Sequence, residues 1–179
     1  MTIFLSGGCK NGKSSLAQTA AKRLAGDGPL YYIATMIPHD EEDRARIRRH
    51  LAEREGWGFE TLELGTEVSS CLGTTGGKGS YLLDSVTALL ANEMFLPDGS
   101  FEPNAPAIVA EDLTHFAREA EHVVFVSDFL YCDAGRYDEW TEAYRRGLAY
   151  VDRALARCCD TVAEIASGTR TVYKGVLPV

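Results

Sequence analysis

The chain has 179 residues, 45% of them hydrophobic and 25% charged, with a net charge of −8. That size and balance suit one folded domain with a sizeable core. The acidic balance argues against non-specific binding to nucleic acid or to an anionic membrane, and no apolar run approaches the ~20 residues of a membrane span. The N-terminal apolar stretch is too short for a signal peptide, so a cytoplasmic protein is expected. Five cysteines, Cys9, Cys71, Cys132, Cys158 and Cys159, are odd in number and contain no C-x-x-C pair. They read as reduced thiols, not as a zinc site or a disulfide framework.

Ile3-Phe4-Leu5 predicts a first strand over 2–5. Gly7-Gly8-Cys9-Lys10-Asn11-Gly12-Lys13-Ser14 follows at once and fits the pattern G-x-x-x-x-G-K-[ST]. Helix formers then run from Ser14 to Leu24. Strand, glycine loop, Lys-Ser and helix in that order make a phosphate-binding loop, since backbone N–H groups at a helix start favour an anion. Lys13 would reach the β- and γ-phosphates and Ser14 would hold Mg²⁺. Cys9 lies within the loop, so its alkylation is expected to interfere with nucleotide binding.

Gly26-Asp27-Gly28-Pro29 ends the first helix. Leu30–Ala34 predicts a second strand, apolar and aromatic as in a parallel sheet buried on both faces. The charged stretch 40–54 predicts a helix, and the alternating stretch 59–64 a third strand. The glycine-rich segment 73–79 faintly resembles a second phosphate loop, but it precedes a strand and has the wrong spacing. It is read as a flexible connector. Ser80–Asp84 predicts a buried strand and 86–95 a helix. A helix from about 106 to 121 carries Ile108, Leu113, Phe116 and Ala120 on one face. A strand over 122–126 runs into Ser127-Asp128. A long helix over 138–159 carries Trp140, Tyr144, Leu148, Val151 and Leu155 at helical spacing, and 161–165 with 171–173 suggests a closing hairpin. The expected fold is therefore α/β: a single domain of the phosphate-loop NTPase type (RecA-like), 1–179, with a mostly parallel central sheet flanked by helices.

Two further features carry chemistry. Asp84 ends an apolar run, where phosphate-loop proteins place an acid that completes the Mg²⁺ shell; a helix cap is the competing reading. Residues 44–54 gather five arginines and His50 in an acidic chain. Ion pairs such as Glu42–Arg46 and Arg49–Glu53 would make this a solvated helix face, with Arg48 at the surface. Alternatively the arginines form a cationic wall facing a triphosphate. Nearby cations would then hold the imidazole neutral and nucleophilic. His39, His115 and His122 lack that setting and are expected at the surface or at a strand edge.

These residues resemble the bifunctional adenosylcobinamide kinase / adenosylcobinamide-phosphate guanylyltransferase family of cobalamin biosynthesis. The resemblance spans nearly the whole chain. It rests on the early loop Gly7–Ser14, Tyr32-Ile33-Ala34-Thr35, Arg46-Ile47-x-x-His50-x-x-x-Arg54, Thr61-x-Glu63 and Leu82-Leu83-Asp84-Ser85-Val86-Thr87 continuing to Asn92. It implies two reactions. A nucleoside triphosphate, ATP or GTP, phosphorylates the aminopropanol arm of adenosylcobinamide. GMP then passes from GTP through a histidine to the new phosphate, giving adenosyl-GDP-cobinamide. On this resemblance His50 is the guanylyl acceptor, and Lys13, Ser14 and Asp84 handle phosphates and Mg²⁺. Arg54 and the turn Ala34-Thr35-Met36 line the nucleotide site. Glu63 suits guanine, because a carboxylate accepts from N1–H and the exocyclic amine together. The resemblance also implies a corrinoid partner and a homo-oligomer, a trimer.

Some positions depart from the family. Arg49 stands where some members have the first of two adjacent histidines, and Ser85 replaces a common cysteine. An Asn-Glu-Val-Gly stretch is replaced near Ser127-Asp128-Phe129-Leu130, and a late Asn-Gln pair becomes Asp152-Arg153. Two other readings stay open at the level of sequence: a single-function small-molecule kinase, and a non-catalytic GTP-binding module.

Overall fold

The computed structural model describes residues 1–38 and 40–179, without the side chains of Arg46 and Glu53. The surface placement expected of His39 and the pairs Glu42–Arg46 and Arg49–Glu53 lie outside the described residues.

A seven-stranded sheet in the order β3-β2-β4-β5-β1-β6-β7 forms the centre. Its strands are β1 (Thr2–Gly7), β2 (Leu30–Ala34), β3 (Glu60–Glu63), β4 (Ser80–Asp84), β5 (His122–Asp128), β6 (Thr161–Ala166) and β7 (Thr169–Lys174). Six are parallel, and only β7 runs antiparallel, against β6. The helices are α1 (Lys13–Ala25), α2 (Glu41–Glu53), a short α3 (Leu72–Thr75), α4 (Val86–Met94), α5 (Ala105–Glu119) and α6 (Glu139–Cys158). This is the mostly parallel α/β sheet flanked by helices that the sequence leads one to expect.

Side chains alternate across the sheet and feed two cores. On one face Phe4, Ile33, Tyr81, Leu83, Val123 and Phe125 pack under α4, α5 and α6, against Leu113, Phe116, Leu148, Val151 and Leu155. On the other, Ile3, Leu5, Tyr32, Leu82, Val124 and Val126 pack against Ala17, Ala20 and Ala21 of α1. Strands buried on both faces read as continuous apolar runs, which is why β2 and β4 match their expected bounds.

Several expectations need correction. Ile108 is 49% exposed, and the buried stripe of α5 runs through Ala105, Val109, Leu113 and Phe116 instead. Trp140 is likewise 54% exposed, because α6 begins its buried face a turn later. Strands β3 and β4 both pair with β2, on opposite sides, so a crossover is required between them. A 3₁₀ turn (Val68–Cys71) and α3 supply it. The glycine segment 73–79 is packed only towards its end: a Cβ on Gly79 would lie 2.4 Å from the carbonyl oxygen of Pro29, whereas one on Gly73 or Gly76 would meet open space. The hairpin from β6 to β7 turns through Ser167-Gly168, both with positive φ, the conformation that a two-residue hairpin requires.

The register brings the carboxyl ends of the parallel strands to one edge. Gly7 is level with Asp128, and Ala34 with both Asp84 and Glu63. Ligands of open parallel sheets bind at this edge.

Candidate functional site

The loop Gly7–Ser14 joins β1 to α1 as expected. Gly12 takes the left-handed conformation at the N-cap, and the first turn of α1 carries no acidic residue, so its positive end is not offset by a side chain. Gly7 is required by contact: a Cβ there would meet the carbonyl oxygen of Ile165 at 2.2 Å. Asn11 donates its amide to that same carbonyl and accepts from the backbone N–H of Lys13 at 3.2 Å. The loop is thus tied to β6 as well as to its own helix. Cys9 is exposed at the loop tip.

Lys13 is only 5% exposed. Its ammonium donates to the Gly8 carbonyl at 2.6 Å and to Asp128 Oδ1 at 2.9 Å. Asp128 ends β5, the strand between the loop strand β1 and the Asp84 strand β4. Its backbone N–H donates to Thr87 Oγ1 at 2.9 Å, and the next residue, Phe129, donates from its N–H to the Gly7 carbonyl at 2.9 Å. The sequence marks Asp128 only as part of a divergent stretch. The signal that could have singled it out is the one used for Asp84, an acid closing a buried apolar strand.

Beside the loop lies a cavity of about 540 Å³, lined among others by Tyr32, Ala34, Met36, Arg48, His50, Arg54, Glu63 and Asp84. None of Gly7–Ser14 is among its lining residues. Helix α2 places His50. Asp40 caps it, accepting from the Asp43 N–H at 2.8 Å, with acids in the first turn and His50 in the last, the order that suits the helix dipole. Arg48 is exposed, as expected, and pairs with Glu41 at 2.7 Å, yet it also stands at the cavity wall. Arg49 is exposed and does not line the cavity.

Arg54, at the end of α2, is 7% exposed, and its guanidinium carbon lies 3.4 Å from the centre of the Tyr32 ring. The Tyr32 hydroxyl donates to Asp84 Oδ2 at 3.1 Å. Burial, and then the Asp84 carboxylate, hold the Tyr32 phenol well above its ordinary value, so it remains a donor across the neutral range. Asp84 does not cap α4. Ser85 does so, accepting from the Ala88 N–H at 3.2 Å, which leaves the Asp84 carboxylate facing the cavity.

Thr35 differs from its neighbours Ala34 and Met36. It is fully buried, and its hydroxyl donates to the Ser85 carbonyl and accepts from the Ser85 N–H, both at 2.8 Å. Asn92 donates to the carbonyls of Thr35 at 2.7 Å and Gly65 at 2.8 Å. These bonds lock the turns after β2, β3 and β4 together beneath the cavity. Behind β5, Asp152 is 3% exposed and accepts from the Tyr131 hydroxyl at 3.1 Å. Burial pushes its carboxyl up to about 7, against the Tyr131 hydrogen bond and with help from the charge of Asp128, while Asp152 Oδ1 and the Ser127 hydroxyl are buried without a hydrogen-bond partner among the described residues. Arg145 holds the following loop, donating to the Leu130 carbonyl at 3.1 Å, Glu142 at 2.6 Å and Asp133 at 2.8 Å.

The profile of the family described as cobinamide kinase / cobinamide phosphate guanyltransferase matches residues 3–172. The chain belongs to this family. It is therefore a nucleotide-using transferase of cobalamin biosynthesis, from a family of bifunctional enzymes. A search of curated proteins finds no match. Two solved structures share the fold. The Pyrococcus horikoshii OT3 protein studied as project PH0250 is 7% identical, with 98% of this chain and 86% of that one covered and a TM-score of 0.53. The P4 protein from bacteriophage phi6 in complex with ADP is 18% identical, with 95% and 52% covered and a TM-score of 0.50. At these identities the likeness is one of fold alone. No described helix is long and apolar enough to cross a membrane.

Proposed function

We propose that this chain carries out both family reactions on adjoining parts of one edge. In the first, a nucleoside triphosphate on the loop Gly7–Ser14 gives its γ-phosphoryl group to the hydroxyl of the aminopropanol arm of adenosylcobinamide. In the second, an imidazole nitrogen of His50 attacks the α-phosphorus of GTP, the bond to the β-phosphate oxygen breaks and pyrophosphate leaves. The phosphate of adenosylcobinamide phosphate then attacks the same phosphorus, the P–N bond breaks, and adenosyl-GDP-cobinamide is formed.

One observation carries this reading: His50 from α2, Arg54 at its end, Glu63 from β3 and Asp84 from β4 share one cavity beside the phosphate loop. In that cavity Arg54 brings a buried positive charge for phosphate, and the Glu63 carboxylate suits the donor edge of guanine. His50 lines the cavity whereas Arg49 does not, so the chemistry is assigned to the second of the two neighbouring positions. Ala34 and Met36 belong to the nucleotide wall, and Thr35 supports it from beneath.

Mg²⁺ fits the donors present. Ser14 and Asp84 offer hard oxygens, and a magnesium ion takes few protein ligands and the remainder from phosphates and water. When bound there it would offset charge on the phosphate oxygens, as Lys13 does from the loop side. A homo-oligomer, a trimer by family likeness, is part of the same reading, and light scattering would check it.

The decisive test uses GTP labelled on the α-phosphate, Mg²⁺ and the purified chain, quenched in alkali. An acid-labile, alkali-stable GMP adduct is expected on the wild type and not on His50→Ala. Phosphorylation of adenosylcobinamide without any adduct would reduce the function to a kinase. GTP binding without either reaction would leave a binding module.

A further inference from the structure

We infer that Asp128 is the group that receives the proton of the acceptor hydroxyl in the phosphoryl-transfer half. This rests on the kinase part of the reading above. Three observations point to it. First, Asp128 Oδ1 meets the ammonium of Lys13 at 2.9 Å, and Lys13 is the loop residue that faces the β- and γ-phosphates. An acceptor oxygen approaching the γ-phosphorus therefore arrives beside this carboxylate. Second, one carboxylate oxygen carries that pair, and the other makes no hydrogen bond among the described residues, while the side chain stays 28% exposed. A carboxylate with an oxygen in hand and an open approach can take a proton. Third, Asp128 is on the loop side of the edge and does not line the His50 cavity, whereas Asp84 does and is already engaged by Tyr32.

The chain holds Asp128 in place from behind. Its own N–H is bound to Thr87 Oγ1 at 2.9 Å, and the Thr87 carbonyl accepts from the Tyr144 hydroxyl at 2.8 Å. The carboxylate is thereby aimed from two elements, α4 and α6, while Lys13 makes its negative charge tolerable next to a triphosphate.

The step balances simply. The hydroxyl proton passes to an Asp128 oxygen as the hydroxyl oxygen bonds to the γ-phosphorus. The bond from that phosphorus to the β–γ bridging oxygen breaks, the nucleoside diphosphate leaves, and Asp128 later releases the proton to water. The two halves of the enzyme then differ in need. The alkyl hydroxyl must lose a proton. The imidazole and the phosphate that act in guanylyl transfer attack through lone pairs.

The experiment compares wild type, Asp128→Asn and Asp128→Glu as full chains, in phosphorylation of adenosylcobinamide by ATP or GTP and in formation of the alkali-stable GMP adduct. Asp128→Asn is expected to lower phosphorylation by ~100-fold or more while the adduct rate stays within ~10-fold of wild type, with Asp128→Glu recovering part of the loss. Lost affinity of Asp128→Asn for a fluorescent ATP analogue overturns the inference, because it would mean that Asp128 only holds Lys13 in place, and a parallel fall of both reactions overturns it too. Unchanged phosphorylation in Asp128→Asn overturns it as well. If the wild type phosphorylates but forms no adduct, the guanylyl reading fails. Asp128 is then judged by whether Asp128→Asn loses turnover while keeping wild-type affinity for a fluorescent ATP analogue; lost affinity counts against it. A wild type that phosphorylates no cobinamide overturns both the reading and the inference.

Discussion

Arg54 sits over the Tyr32 ring, with 3.4 Å between the guanidinium carbon and the ring centre, and the same tyrosine donates to Asp84 at 3.1 Å. A buried cation, a ring and a carboxylate are thus stacked into one wall of the cavity. Arginine suits this place because its plane can stack on the ring while its edge N–H groups stay available to an anion. Arg54→Lys should therefore behave as a severe change. GTP affinity by calorimetry is expected to fall by ~10-fold or more, because an ammonium keeps the charge but loses the planar fork that binds phosphate oxygens in pairs. Tyr32→Phe keeps the stack and removes only the donor to Asp84, so the fold should lose no more than about 1 kcal/mol. Equal GTP affinity in wild type and Arg54→Lys would refute the phosphate role given to Arg54.

Thr35 follows a different logic from the residues on either side of it. Its hydroxyl both gives to and receives from the backbone of Ser85 at 2.8 Å, and it has no exposed surface. Thr35→Val preserves the shape and strands the N–H and carbonyl of Ser85. A loss of about 1–3 kcal/mol is expected, seen as a lower urea midpoint with an unchanged slope. GTP affinity measured well below the midpoint should change little. A large loss of affinity with full stability would instead make Thr35 a direct nucleotide ligand.

The contrast between Asp84 and Asp128 shows what could be read from sequence and what could not. Strands buried on both faces announce themselves as apolar runs, so β2, β4 and the glycine loop with its Lys13 and Ser14 were legible, and so was an acid closing β4. The ion pair of Lys13 with Asp128 depends on β5 inserting between β1 and β4, a strand order that local sequence does not encode. The bond from Asn11 to the carbonyl of Ile165 spans most of the chain and was invisible for the same reason. Ile108 misled because one helical face with four apolar residues can be drawn two ways, and only packing against α4 and α6 chooses Val109. His50, Arg54, Glu63 and Asp84 were each legible as chemistry. That they border one cavity is a property of the edge where their elements end.

Gly7 offers a direct probe of the tie between the loop and β6. A Cβ at this position would sit 2.2 Å from the Ile165 carbonyl and 2.6 Å from the Asn11 amide nitrogen, and neither the backbone nor the short amide can yield by that much. Gly7→Ala should displace the loop and abolish measurable binding of an ATP analogue, with a stability loss of about 1–3 kcal/mol from overpacking. Asn11→Ala, which only removes a side chain, should keep the fold and weaken binding to a lesser degree. Full binding by Gly7→Ala would mean that β6 does not brace the loop.

Asp152 should make stability depend on pH in an unusual direction for a carboxylate. Burial raises its carboxyl from 3.8 to about 7 in the folded chain. Between those values the unfolded chain has released the proton while the folded chain still holds it, so folding is favoured by protons. The stabilisation is whole below about pH 4 and is lost as pH rises through about 7, by linkage to the raised value. Asp152→Asn cannot titrate and keeps a polar group for Tyr131, so it should not share that loss. Between pH 5 and 8 the stability of Asp152→Asn should therefore rise relative to wild type, by on the order of 2 kcal/mol. Denaturation of both proteins at matched ionic strength measures the difference. Parallel curves across that range would show that Asp152 is already ionised in the fold. In that case its ionised form must be satisfied by Tyr131, whose hydroxyl donates at 3.1 Å.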